Sequence, residues 1–100
     1  MEFRPQLRHL GLLVSDMQAM ERFYTGVLGM QVTDRGRVPR LQNREIVFFS
    51  SSATDHHQLV LLAGREGNGP SVVNQVSFQV ESLAQLRVMN SRIEAAGIAP

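Results

Sequence analysis

The stretch "LRHLGLLVSDMQAMERFYTGVLG", residues 7–29, carries two structural periods in succession. Residues 7–14 form a short apolar run of strand length. Ser15 or Asp16 can then cap a helix, with Gln18 placed to return a bond to the cap. Beyond it Met17, Met20, Phe23, Tyr24, Val27 and Leu28 recur at helical spacing, and Gly29 ends the helix. A strand that feeds straight into a helix with one apolar stripe implies a sheet covered by a helix on one face.

Working outward, "MQVTDRG" reads as a second strand running into a turn, "REIVFFSS" as a third strand and "HQLVLLA" as a fourth. "GREGNGP", residues 64–70, is a connector. Its glycine spacing and the lack of a following lysine exclude a phosphate loop. After it the opening pattern returns: "VNQVSFQV", residues 73–80, is expected as a strand, and "ESLAQLRVMNSRIEAAG" as a capped helix burying Leu83, Leu86, Met89, Ile93 and Ala96. Shifting position 9 onto 75 also lays Gly11 on Ser77, Leu12 on Phe78, Val14 on Val80 and Asp16 on Ser82. The reading is an α+β chain. A βαβββ module over residues 1–66 precedes the first strand and helix of a second, truncated βαβββ module over residues 67–100. The second module's remaining strands are expected beyond residue 100, in a longer protein or supplied by another chain.

Strand parity decides which side chains meet. Leu10, Leu12 and Val14 share the face that packs on the helix, leaving His9, Gly11 and Leu13 on the other. In the repeat, Val76, Phe78 and Val80 are the apolar set and Gln75, Ser77 and Gln79 lie opposite. Both copies thus direct polar or small side chains to one side, which suggests a cavity there. "DHHQLVL" then puts His56 and His57 on consecutive positions. If that segment is strand, one histidine enters the cavity and the other faces the helix side or solvent. Phe48 and Phe49 likewise straddle the third strand, one available to an aromatic ligand and one for the core. Tyr24 and Phe23 are expected in the helix core, and the five methionines as adaptable packing.

A hydrophobic fraction of 43% is ordinary for a globular chain. No apolar run reaches the ~18 residues a membrane span requires. "MEFRPQLRHL" has no signal-peptide core, so a cytoplasmic location is the expectation. Without cysteine there are neither disulfides nor thiolate metal sites. Every one of the ten basic residues is arginine, and the net charge is only +1. Four arginines fall in "RGRVPRLQNR", residues 35–44, either a solvated loop or an anion clamp at a pocket rim. Aromatics do not interleave them, which argues against nucleic acid.

The opening segment, with His9 in the first strand and a helix carrying "FYTGVLGM", resembles the vicinal oxygen chelate superfamily of glyoxalase I, extradiol dioxygenases, fosfomycin-resistance enzymes and bleomycin-binding proteins. That resemblance covers nearly all of the chain. It implies paired βαβββ modules curled into a half-open barrel around a divalent metal. "DHHQLVL" is most similar to the ring-cleaving dioxygenase branch. There the likeness makes His57 the acid/base residue, His56 a structural neighbour and His9 the first metal ligand. Gln75 stands where that branch has its second ligand, a histidine, although the glyoxalase branch does take glutamine at a metal position. The third ligand, a glutamate of the last strand, is expected beyond Pro100. The implied cofactor is Fe(II), with Mn, Ni or Zn as alternatives, held on a face that leaves positions open for a diol and oxygen. A glyoxalase-type lyase would want a carboxylate from the fourth strand, where this chain offers His57. The other class implied is a metal-free small-molecule binding protein of the antibiotic-sequestering kind. The expected partners are a small-molecule substrate and a second copy in a homodimer, with no nucleic acid and no membrane.

Overall fold

A computed structural model describes residues 2–67 and 69–99, so residue 68 of the connector lies outside the described residues. The chain divides into two compact units, Met1–Arg65 and Glu66–Pro100.

The first unit holds a four-stranded sheet in the order β1-β4-β3-β2, with β1 at Leu10–Val14, β2 at Gln31–Val38, β3 at Arg44–Ser50 and β4 at Leu59–Ala63. β1 runs parallel to β4, and the other neighbours are antiparallel. A parallel pair cannot be joined by a tight turn. Helix α1, Met17–Arg22, and the two further strands make the crossover. Asp16 is the cap, accepting the Ala19 amide at 3.0 Å. The helix continues as a wider π-turn over Phe23–Val27, in which Leu28 N bonds to Phe23 O at 3.2 Å. Gly29, at φ +73°, lets the chain reverse and Met30 N return to Tyr24 O.

The register assigns the two faces. Leu12 lies beside Leu61, and Val47 and Phe49 beside Leu61 and Leu59, all toward α1. With Val14, Met17, Tyr24 and Met30 they form the core, in which Val47, Phe49 and Leu61 are fully buried. Full burial of each such side chain contributes about 1.5–3 kcal/mol. Gly11, Leu13, Ile46, Phe48, Val60 and Leu62 have the opposite parity and make the second, open face. Leu13 on that face is 53% exposed.

β2 differs from the expectation of a strand ending in a turn at Gly36. It crosses Gly36 and continues to Val38. The hairpin is instead made by a 3-10 turn at Pro39–Leu41 and by Gln42 and Asn43, both with positive φ near 60°. A bulge between Val32 and Asp34 explains what the arginines do. It keeps Val32 opposite Phe49 yet sets Asp34 opposite Phe48 and Gly36 opposite Ile46. Arg35 is thereby turned to the helix side, where it pairs with Glu21 at 2.5 Å. Arg37 donates to Asn43 O at 3.0 Å. The run 35–44 is accordingly not one loop: Arg35 and Arg37 lie in β2, Arg40 in the 3-10 turn and Arg44 in β3.

In the second unit α2 spans Leu83–Ala95, capped by Ser82, whose hydroxyl accepts the Gln85 amide at 3.1 Å. Gln85 reciprocates by accepting the Glu81 amide at 2.8 Å. Residues 73–80 carry no sheet pairing among the described residues, because the unit contains no further strand to receive their backbone groups. For the same reason the face expected to be buried is not: Leu83 and Leu86 are more than half exposed, Ala96 is exposed, and only Met89 and Ile93 are partly covered.

No helix of the described residues is long and apolar enough to cross a membrane. Phe49→Ala is expected to destabilise the first unit by about 3–5 kcal/mol, read as a lowered urea midpoint, whereas Leu13→Ala costs well under that. Burial raises the Tyr24 pKa above its ordinary 10.0. The folded state then holds this proton more tightly than the unfolded one, so stability is full below pH 10 and is lost as pH rises beyond it. Denaturation at alkaline pH with Tyr24→Phe as control checks the sign.

Candidate functional site

Three histidines, His9, His56 and His57, meet at the end of the open face although the first lies far from the other two in sequence. His9 directly precedes β1, and Leu10 N donates to Gln58 O at 3.0 Å. That bond holds the entry of β1 against the entry of β4. The His9 and His57 rings approach edge to face, with centroids 4.6 Å apart at 60°. His57 also lies against Phe48, 5.1 Å away at 60°, and the Phe48 ring belongs to the open face. His56 completes the cluster, its Nδ1 at 2.9 Å from His57 Nδ1.

The last contact corrects the expectation that consecutive histidines face opposite sides. That expectation needs strand geometry at 56–58, and β4 begins only at Leu59. Residues 51–58 instead form a loop built by side chain to backbone bonds. Ser52 N donates to Ser50 Oγ at 3.0 Å, and Thr54 N to Ser52 Oγ at 3.2 Å. Gln58 Oε1 accepts both the amide and the hydroxyl of Ser51, at 2.8 and 2.9 Å. Gln58 N donates to Phe49 O at 2.8 Å. Finally Arg8 bridges to Asp55 at 2.7 Å, tying this loop to the segment that carries His9. Arg8 is largely solvated and Asp55 partly so, so the bridge contributes little to stability and acts mainly on where the loop sits. These supporting residues were not singled out from sequence. Their signal is the run "SSSATD", whose hydroxyls favour local turn bonds.

The two Nδ1 atoms cannot both carry protons without repulsion, nor both be bare and bonded. One donates and the other accepts. If the donor is His57, its Nε2 keeps a lone pair and the ring is held in one orientation. His56 is solvent-exposed but engaged by this bond.

Gln75, the remaining sequence candidate, belongs to the second unit, where its amide nitrogen donates to Ser77 Oγ. Side chains two positions apart thus meet, and Oε1, the atom a hard cation would take, is not used in that bond. Among the described residues, no three His, Asp or Glu side chains are grouped so as to hold a metal ion.

Comparison with known proteins gives a consistent fold. The profile of the Glyoxalase/Bleomycin resistance protein/Dioxygenase superfamily matches residues 6–100. The fosfomycin resistance protein FosX of Listeria monocytogenes, complexed with Mn(II) and dihydroxypropylphosphonic acid, is 18% identical with a TM-score of 0.76. The match covers 97% of this chain and 73% of that one. A glyoxylase/bleomycin resistance protein/dioxygenase domain from Frankia sp. is 24% identical with a TM-score of 0.75, covering 97% and 77%. FosX of Mesorhizobium loti is 18% identical at 0.72, covering 95% and 72%. No protein of curated function matches the sequence.

Gln58→Ala removes the acceptor that closes the loop on Ser51. It is expected to cost about 1–2 kcal/mol and to speed amide exchange across residues 51–57 while β3 and β4 stay protected. Hydrogen exchange followed by NMR reads both effects.

Proposed function

Because the chain belongs to the Glyoxalase/Bleomycin resistance protein/Dioxygenase superfamily, we propose that it is a metal-dependent enzyme acting on a small molecule with two adjacent oxygens, of the catechol kind, through dioxygen-dependent ring opening. The observation that carries this reading is the position of His57, its ring in edge contact with both His9 and Phe48. A histidine merely ending a strand in solvent would have no such pair of neighbours.

Two donors suit a divalent ion in kind, each described within its own unit: the imidazole of His9 and the amide oxygen of Gln75. Fe(II) is the metal proposed for ring opening, and Mn(II), Ni(II) or Zn(II) suit the same donors. A bound ion would supply Lewis acidity, making the neighbouring substrate oxygens more acidic. His57, with Nδ1 engaged by His56, presents Nε2 as the base that takes the proton a substrate hydroxyl gives up. Its ring needs no reorientation, since Phe48 and His9 already hold it on two sides. Phe48, Leu13 and Val60 give an apolar floor on which an aromatic ring can lie with water displaced. That face supports a small-molecule partner. A homodimer is proposed from the sheet edge, because β1 is an outer strand with Leu13 exposed beside it.

A second reading keeps the same face without an ion: a binding protein that sequesters an aromatic molecule. What favours it is that floor, apolar and open, which needs no metal to hold a planar ligand.

Metal analysis of the full chain after loading is expected to show a stoichiometric divalent ion that His9→Ala loses. Turnover of a catechol panel by His57→Ala is expected to fall by about 10²–10⁴-fold with the metal retained. A wild type that holds no ion but binds catechols with unchanged affinity would overturn the enzyme in favour of the sequestering protein.

A further inference from the structure

The open face has a second polar end that the histidine cluster does not use. Arg44 begins β3 and has the parity of Ile46 and Phe48, so its side chain stands on the open face. It stands four positions before Phe48 along the strand, about 13 Å at ~3.3 Å per residue. Between the two ends the floor is Ile46, Val60 and Leu62, all apolar.

The guanidinium is laid down by a specific device. Gly64 follows β4 at φ +123°, a conformation that side-chain-bearing residues rarely adopt. A Cβ there would stand 2.7 Å from Arg44 Nε and 2.8 Å from Cζ. Glycine is therefore what leaves room for the arginine to lie flat at this spot. The charge, meanwhile, is not neutralised. Among the described residues Arg44 donates to one neutral acceptor, Gln42 Oε1 at 3.2 Å, and no carboxylate pairs with it. Its neighbours differ: Arg35 has Glu21, and Glu45 faces the other way, opposite Arg37. A half-buried, permanent cation at the border of an apolar floor suits a planar anion that accepts two bonds from one fork.

We propose that Arg44, seated over Gly64, is an anion anchor for the ligand of this face, whose substrate class is an aromatic head at the histidine end joined by a short apolar spacer to a carboxylate. This rests on the open face being the ligand face, and it sets specificity where the histidine cluster sets chemistry. Arg44 positions the far end of the ligand and touches no reacting atom.

Binding of dihydrocaffeate and of its primary amide to the full chain, followed by NMR shifts at the Arg44 side chain and the His57 ring, tests this. The carboxylate is expected to bind about tenfold tighter than the amide, the gain of a charge-assisted over a neutral bond. Arg44→Gln should erase the preference while leaving the amide's affinity unchanged. Arg44→Lys should keep part of it, and Gly64→Ala should weaken it by displacing the guanidinium. Equal affinities in the wild type, a preference that survives Arg44→Gln, or no binding of either probe overturns the anchor. If the preference holds but His57 does not shift, the anchor stands and the catechol reading falls. If His57 shifts with both probes and their affinities are equal, the catechol reading stands and the anchor falls.

Discussion

The first unit depends on one pairing, that of β1 with β4 in parallel. It is made across the sequence by a helix and two strands, and it is the reason residue 9 lies beside residues 57 and 58 at all. Loop closure over such a separation costs entropy before any contact repays it. The return comes from the helix-side face, where Phe49, Leu59 and Leu61 pack under Tyr24 and Met17. The core thus holds the sheet in a register that brings His9 to His57, although no histidine belongs to that core.

The same pairing separates the work of the two faces. One is closed by α1 and supplies stability. The other stays open and apolar, with imidazoles at one end and a guanidinium at the other. The bulge after Val32 maintains this division. By shifting parity within β2 it turns Arg35 to Glu21 on the helix side and leaves Asp34 and Gly36 on the open side. A regular β2 would have put Arg35 opposite Ile46, where Gly36 now stands.

Much of this was legible in the sequence where local signals and burial agree. The strand before Ser15, the Asp16 cap, the stripe through Val27 and the stop at Gly29 all follow from periodicity and capping. The division of Phe48 from Phe49 followed from alternation alone. Two features could not be read that way. Alternation was carried through His56 and His57, but side-chain hydroxyls of residues 50–54 hold that segment as a loop, and parity has no meaning there. The arginine run was read by composition, and a bulge, which leaves no mark in the hydrophobic pattern, decided which arginine faces what. Residues 73–80 and α2 show the converse: their apolar pattern is plain in sequence, yet pairing and burial require partner strands that are not found among the described residues of their unit.

The central claim is that His9 and His57 serve one centre at the end of the open face. Titration of the full chain with Mn(II), watching paramagnetic broadening of the imidazole signals, addresses it most directly. The account predicts that the His9 and His57 ring protons broaden together at the lowest Mn(II), and that His9→Ala abolishes the broadening at His57. Broadening centred on acidic surface residues, with both rings left sharp, would contradict it.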